Sequence, residues 1–269
     1  MAGVLLTNDD GVDSPALAPF AVALAELGPV TVVAPDRERS WISKAITRVG
    51  EISLARVERD GVAMTACSGY PADATQLGIH VVCDPPPDLV VSGINLGLNH
   101  GTAFMLSSGT VGAAIEGWIS GLPAVAFSTG ASAGPHDEWR EHVTGPGRAD
   151  AWRRLSGTCV DILRDLWRSG LLGSADVVSV NVPFDATADT PRRVTTLARV
   201  RYGGLFDAVG PDRYRHAFVD VTGPERLAGT DVEAFQEGVV SITPIRMPEA
   251  VDVPGAVRAR VERRRAPRR

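Results

Sequence analysis

The 269-residue sequence is short of several things, and each shortage removes a class of protein. It has three cysteines, Cys67, Cys83 and Cys159, an odd number with no C-x-x-C pair. Neither a disulfide framework nor a zinc knuckle is indicated, and buried free thiols are the simpler expectation. It has no excess of positive charge: the formal net charge is -5, and Lys44 is its sole lysine. General binding to a nucleic-acid polymer or an anionic membrane is therefore not expected. No apolar run reaches the length of a membrane span, and the opening MAGVLLTNDD lacks the basic start and long apolar stretch of a signal peptide. The expectation is a cytoplasmic protein. Hydrophobic residues make up 44% of the chain, enough for a substantial core, which excludes a disordered or fibrous protein.

What is present is a βα alternation. Residues 3–7, 30–34, 88–92 and 123–128 are short, β-branched, nearly continuous apolar runs, as parallel strands buried on both faces require. Leu17, Phe20, Leu24 and Leu27 repeat at helical spacing, with Ser14 as the candidate N-cap and Gly28 as the stop. Pro19 argues for a late start or a distorted first turn. Further helices are expected over Pro71 to about Val81 and over Thr110–Ile119, and residues 130–147 read as a long polar loop. Trp152, Leu155, Cys159, Ile162, Leu163 and Leu166 give another amphipathic helix, followed by a strand at Val177–Val182. Residues 190–245 alternate instead, notably at Val194–Val200 and Val239–Ile242, as an antiparallel or mixed appendage would. From Arg258 the tail carries seven arginines against Glu262, the pattern of a solvated helix or a disordered end.

The fold class is α/β: a Rossmann-like, doubly wound, mostly parallel sheet with a C-terminal β-rich extension. Three parts are expected. Residues 1–130 form a core carrying the site, 131–188 complete it with a loop, helix and strand, and 189–269 form the extension.

The strongest local feature is Thr7-Asn8-Asp9-Asp10-Gly11, directly after the first strand. Ligands of open α/β sheets gather at the carboxyl ends of strands. A dinucleotide site would place glycines there, whereas two carboxylates repel a pyrophosphate and invite a cation. An ordinary turn with a helix cap accounts for an isolated acid pair equally well. Ser40, after the second strand, and Asn95, after the third, can add neutral oxygens, and an all-oxygen set favours Mg²⁺ or Mn²⁺ over zinc. Ser108-Gly109-Thr110 opens a helix, where small residues and unpaired N–H groups make a phosphate cradle, or simply an N-cap.

The blocks LLTNDDG, VVAPDRERS, PDLVVSGIN-x-G-x-N, SGTVGAA-x-EG, NVP and GTD…G-x-VSITP occur in this order from residue 4 to about 245. In them the chain resembles the SurE family of stationary-phase survival proteins. The resemblance implies a metal-dependent 5′/3′-nucleotidase with one divalent ion per subunit, Mg²⁺ or Mn²⁺. It also implies a homodimer or homotetramer whose C-terminal extension is exchanged between subunits. Carried over by motif, Asp9, Asp10, Ser40 and Asn95 correspond to metal ligands. Asn8, Asn99, Ser108, Gly109 and Thr110 correspond to the phosphate site, with Asp9, Asn99 and Ser108 as the catalytic set. Asp9 would orient or deprotonate the attacking water, and no arginine clamp is required. Asp36 and Arg37 are expected to fix loop geometry, and Asp231 to shape the site from the C-terminal part.

Trp41 stands where relatives usually carry glycine, Tyr70 where threonine is frequent, and Ser107 where an aromatic is common. The loop between Asn99 and Ser108 is one residue longer than usual. Alternatives are a non-catalytic nucleotide- or metal-binding member, a phosphatase for another small phosphoester, or a nucleoside N-glycosidase. The last needs more carboxylates around its calcium than this loop supplies.

Overall fold

A computed structural model describes residues 3–131, 136–217, 221–222 and 227–262. The first half runs β1 (Val4–Thr7), α1 (Leu17–Leu24), β2 (Val30–Pro35), β3 (Leu54–Arg59), β4 (Val62–Cys67), α2 (Pro71–Leu77), β5 (Leu89–Leu96), α3 (Gly101–Ser107), α4 (Gly109–Ile119) and β6 (Ala124–Gly130). The second half runs α5 (His136–Thr144), α6 (Ala149–Arg168), α7 (Leu171–Ser174), β7 (Val177–Pro183), β8 (Arg192–Val194), β9 (Arg201–Tyr202), β10 (Phe206–Gly210), β11 (Arg213–His216), β12 (Val221–Thr222), α8 (Asp231–Gln236), β13 (Val240–Ile245) and α9 (Gly255–Val261).

Nine strands form one sheet in the order β3-β4-β2-β1-β5-β6-β7-β13-β8. From β4 to β7 every pairing is parallel, while β3 and β13 join antiparallel. The chain moves outward one way from β1 through β2 and the other way from β5 through β6. The β1/β5 junction is therefore the topological switch point, where a crevice opens at the strand ends.

Successive side chains of a strand point to opposite faces, and the two neighbours Leu5 and Leu6 enter different cores. Leu6 joins Val91, Phe127 and Val180 under Phe20 and Leu24 of α1 and Trp152, Leu155 and Leu163 of α6. Leu5 joins Val33, Val90 and Ala126 under Ala74 of α2 and Val111 and Ala114 of α4. Each fully buried side chain of this size contributes roughly 1.5–3 kcal/mol, so both faces of the sheet at the switch point are packed. Cys67 and Cys159 are buried and Cys83 is half-buried, all three free.

Several expectations need adjustment. Helix α1 begins at Leu17 with Ala16 as N-cap, and the Ser14 hydroxyl finds no partner. Pro19 then falls in the first turn, where its missing N–H costs nothing. Helix α2 stops at Leu77 and passes into a π-helical turn, Gly78–Val82. The supposed polar loop over 130–147 contains α5. Acidic Asp137 and Glu138 sit in its first turn and His142 in its last, complementing the helix dipole, and Val143 is fully buried. Only the flanks of that stretch are rich in Gly and Pro.

The β3–β4 hairpin was not anticipated, although Asp60-Gly61, with φ of 49° and 77°, is a characteristic two-residue hairpin turn. Beyond residue 190 the strands divide. Strands β8 and β13 extend the main sheet, whereas the antiparallel pairs β10–β11 and β9–β12 stand outside it. The arginine-rich tail begins in α9, and its part from 263 onward lies outside the described residues. Among the described residues, no helix is long and apolar enough to cross a membrane.

Candidate active site

The loop after β1 is shaped by its own backbone. Asn8 donates its amide to the Gly11 carbonyl and accepts the Gly11 N–H, each at 3.0 Å, closing a tight turn. Gly11 has φ of +90°, and a Cβ there would lie 2.7 Å from the Arg37 carbonyl carbon, so only glycine fits. This close approach locks the β1 loop to the β2 loop, where Arg39 N–H donates to the Asp9 carbonyl at 2.7 Å.

Asp9 then points at the start of α4. Its Oδ1 accepts the Thr110 hydroxyl, and a Cβ on Gly109 would lie 2.8 Å from the Asp9 carboxylate. Ser108 caps the helix by accepting the Val111 N–H at 3.0 Å. The carboxylate thus rests against a helix N-terminus, whose dipole favours negative charge. Asp10 turns the other way: its Oδ2 accepts the Leu96 N–H at 3.0 Å and its Oδ1 lies 3.5 Å from Arg140 Nη2. Burial pushes the Asp9 carboxyl well above the usual range, partly offset by the Thr110 hydroxyl. Burial does the same to Asp10, and the Asp9 charge pushes it further.

Asn95 reaches this place because β5 changes register against β6 between Ser92 and Asn95. At the irregularity Gly93 has φ of +126°, and a Cβ would fall 2.2 Å from the Phe127 carbonyl oxygen. Asn95 donates to the Gly97 carbonyl at 2.6 Å. Asn99 donates to Ser128 Oγ at 2.7 Å, while its backbone N–H donates to Asn181 Oδ1 at 2.9 Å. Asp231, on α8, accepts Gly101 N–H at 2.7 Å and Ala198 N–H at 2.9 Å, pinning the Asn99–Gly101 turn to the C-terminal part.

These loops surround a cavity of about 750 Å³. Asp9, Ser40, Asn95, Asn99 and Ser108 line it. Asn8 does not, since both ends of its amide are spent on Gly11; Asp10, Gly109 and Thr110 adjoin the lining residues, Asp10 at Arg140 and the other two at Asp9. Asp36 pairs with Arg37 at 3.8 Å and with Arg39 at 3.4 Å, away from the cavity. Tyr70 is absent from the wall as well. It lies beneath the Arg39 guanidinium, 5.6 Å from ring centroid to Cζ, at the start of α2.

Trp41 and Ser107 do line the cavity. Trp41 has φ of 59°, the left-handed region that glycine adopts freely. Its indole packs on His216 at 4.9 Å, Tyr202 at 5.8 Å and Phe104 at 6.0 Å, and Ser107 Oγ shares a 2.8 Å hydrogen bond with the Tyr202 hydroxyl. Glu38, His136, Asp137, Arg140 and His216 also line the cavity and were missed. Glu38 lies inside the VVAPDRERS block; the others come from elements that local patterning does not place near Asp9.

The donor set fits a hard divalent cation. Among the described residues, no group of three or more His, Cys, Asp or Glu side chains is placed to hold a metal. Two buried carboxylates with neutral Ser and Asn oxygens nearby are the ligand chemistry of Mg²⁺ or Mn²⁺.

A family model described as "Survival protein SurE" matches residues 4–204. A 5′-nucleotidase SurE of Methanothrix thermoacetophila is 35% identical over 262 residues, covering 94% of this chain and 96% of the relative. Another, from a Thermoanaerobacter species, is 37% identical over 247 residues, covering 90% and 91%. The crystal structure of the SurE protein from Aquifex aeolicus superimposes with a TM-score of 0.68 at 30% identity, covering 95% of this chain and 96% of that one. With the same blocks assembled around one crevice, the chain belongs to the SurE family.

Proposed function

We propose that this protein is a metal-dependent phosphomonoesterase that hydrolyses nucleoside 5′/3′-monophosphates to nucleoside and phosphate. The observation that carries this function is the Asp9–Asp10 pair at the switch point, with Asp9 seated on the first turn of α4 inside a cavity large enough for a nucleotide. Asp9, Asp10, Ser40 and Asn95 would hold one Mg²⁺ or Mn²⁺ per subunit. Bound there, the ion would lower the pKa of a water and offset charge developing on the phosphoryl group.

The chain's own groups do the rest. Asp9 orients the attacking water and takes its proton as the water oxygen bonds to phosphorus and the ester P–O bond breaks; the departing nucleoside oxygen takes a proton from solvent, and Asp9 returns its own to solvent. Ser108, Gly109 and Thr110 present the α4 N-terminus to the phosphate, and Asn99 binds from the facing loop. Asn8 serves by holding the turn. The Ser108 hydroxyl is engaged as the helix cap, which favours direct attack by water over a covalent serine intermediate.

The test is phosphate release from a panel of nucleoside 5′- and 3′-monophosphates, sugar phosphates and p-nitrophenyl phosphate, with Mg²⁺ and with Mn²⁺. Asp9→Asn should lower kcat by about 10²-fold or more. No release from any ester with either ion sinks the esterase; release of free base in place of phosphate points to a glycosidase.

A further inference from the structure

We propose that Arg140 is a phosphate-binding residue of this site, gripping oxygens of the substrate phosphoester from the α5 wall. This rests on the phosphomonoesterase function and adds a group that no sequence block marks.

Helix α5 sets His136 and Arg140 one turn apart on the face turned to the cavity, and both line it. The guanidinium is held at one nitrogen. Nη2 donates to Glu38 Oε2 at 2.6 Å and lies 3.5 Å from Asp10 Oδ1. Glu38 is itself fixed, since its Oε1 accepts the Ser40 hydroxyl at 2.7 Å. The chain Arg140–Glu38–Ser40 thus ties α5 to the β2 loop and aims the guanidinium beside the carboxylate pair. Among the described residues, Nε and Nη1 have no hydrogen-bond partner, so donors remain for a ligand.

Stabilisation accounts for part of this arrangement, since the guanidinium offsets the charge of the buried Asp10 carboxylate. The Arg140 and Glu38 side chains, however, are 31% and 45% exposed, and pairs at such positions contribute little to stability. The charge balance of the cavity points the same way. Among the described residues lining it, Asp9, Glu38 and Asp137 are acids, and Arg140 is the sole arginine or lysine. Besides the divalent ion proposed at Asp9 and the α4 N-terminus, Arg140 is where a phosphate dianion entering this wall meets a permanent positive charge. With Nη2 committed to Glu38, the guanidinium still offers a phosphate oxygen a charge-assisted N–H bond from Nε or from Nη1.

The experiment compares wild type, Arg140→Ala, Arg140→Lys and Arg148→Ala in kinetics on a nucleoside monophosphate and in calorimetric titration with inorganic phosphate, all with Mg²⁺. Arg148 bonds His142 at the far end of α5 and does not line the cavity, so its variant controls for net charge. Arg140→Ala should lower kcat/KM by about 10²-fold and weaken phosphate binding by about tenfold or more. Arg140→Lys should recover part of both, and Arg148→Ala should match wild type. The proposal is overturned if Arg140→Ala stays within about twofold of wild type in phosphate affinity, whatever happens to kcat. A wild type that binds no phosphate overturns it too. A wild type that binds phosphate but hydrolyses no ester defeats the esterase function alone, and the titration still decides Arg140.

Discussion

Asp9 and Asp10 are adjacent, yet the strand-to-loop transition sends one carboxylate to α4 and the other to the β5 backbone. Thr110 is the group that holds Asp9. It is fully buried and gives its hydroxyl to Asp9 Oδ1. Thr110→Val keeps the shape and removes the donor, leaving a buried carboxylate oxygen unsatisfied, which costs about 1–3 kcal/mol. Denaturant unfolding should show that loss, and kcat should fall about tenfold with KM nearly unchanged, because the nearest orienting contact to the base is gone. A variant as stable and as fast as wild type would show that Asp9 needs no such holding.

His100 offers a pH test apart from the Asp9–Asp10 pair. It is half-buried, with its ring set between Phe104 and Phe235 at 5.9 and 6.0 Å and a Nδ1 without partner. Burial lowers its pKa below the ordinary 6.5, with the Asp231 charge only partly opposing. The unfolded chain therefore takes up a proton near pH 6.5 that the folded chain refuses until lower pH. Stability from this group is fully present above 6.5 and is lost as pH falls toward the folded value. His100→Gln should flatten that limb of the Tm-against-pH curve; an unchanged slope would mean that the ring is protonated freely in the fold.

At the scale of elements, legibility followed locality. The strands β1, β2, β5, β6 and β7 were legible because a strand buried on both faces is apolar along its whole length. The corner formed by Asp9, Ser108, Gly109 and Thr110 was legible because each part sits in one contiguous block at a strand or helix end. Helix α5 was hidden by Gly and Pro on both flanks and by a nearly wholly polar surface: its stability comes from dipole-matched charges and from Val143 and Trp139 packing inward. With α5 unread, Arg140 and His136 had no address. Strand β11 brings His216 onto Trp41 through a pairing that residue spacing does not encode. The β3–β4 hairpin is the opposite case, since Asp60-Gly61 between alternating segments is by itself a sufficient local signal.

At the scale of the molecule, the hairpin β10–β11 is a ribbon that the described residues of its own chain leave largely uncovered. A two-stranded ribbon is at best marginally stable alone in water, and this one leaves Phe206 64% and Tyr214 68% exposed. Among the described residues, its base meets the body of the chain where His216 packs on Trp41. An exposed apolar ribbon of this kind is stabilised when a second copy covers it, and a self-complementary pairing about a two-fold axis is the simplest closed solution. We therefore propose a homodimer or homotetramer assembled through residues 189–269. Light scattering should give a multiple of the 28.4 kDa chain mass for wild type, and the double variant Phe206→Asp, Tyr214→Asp should shift it toward the monomer. Because the hairpin base forms part of the cavity mouth, dissociation should also raise KM for nucleotides, by loosening the wall that Trp41 and His216 make together. A wild type that stays monomeric across a wide concentration range, or a double variant of unchanged mass, would remove the hairpin from the assembly and leave the cavity to be completed within one chain.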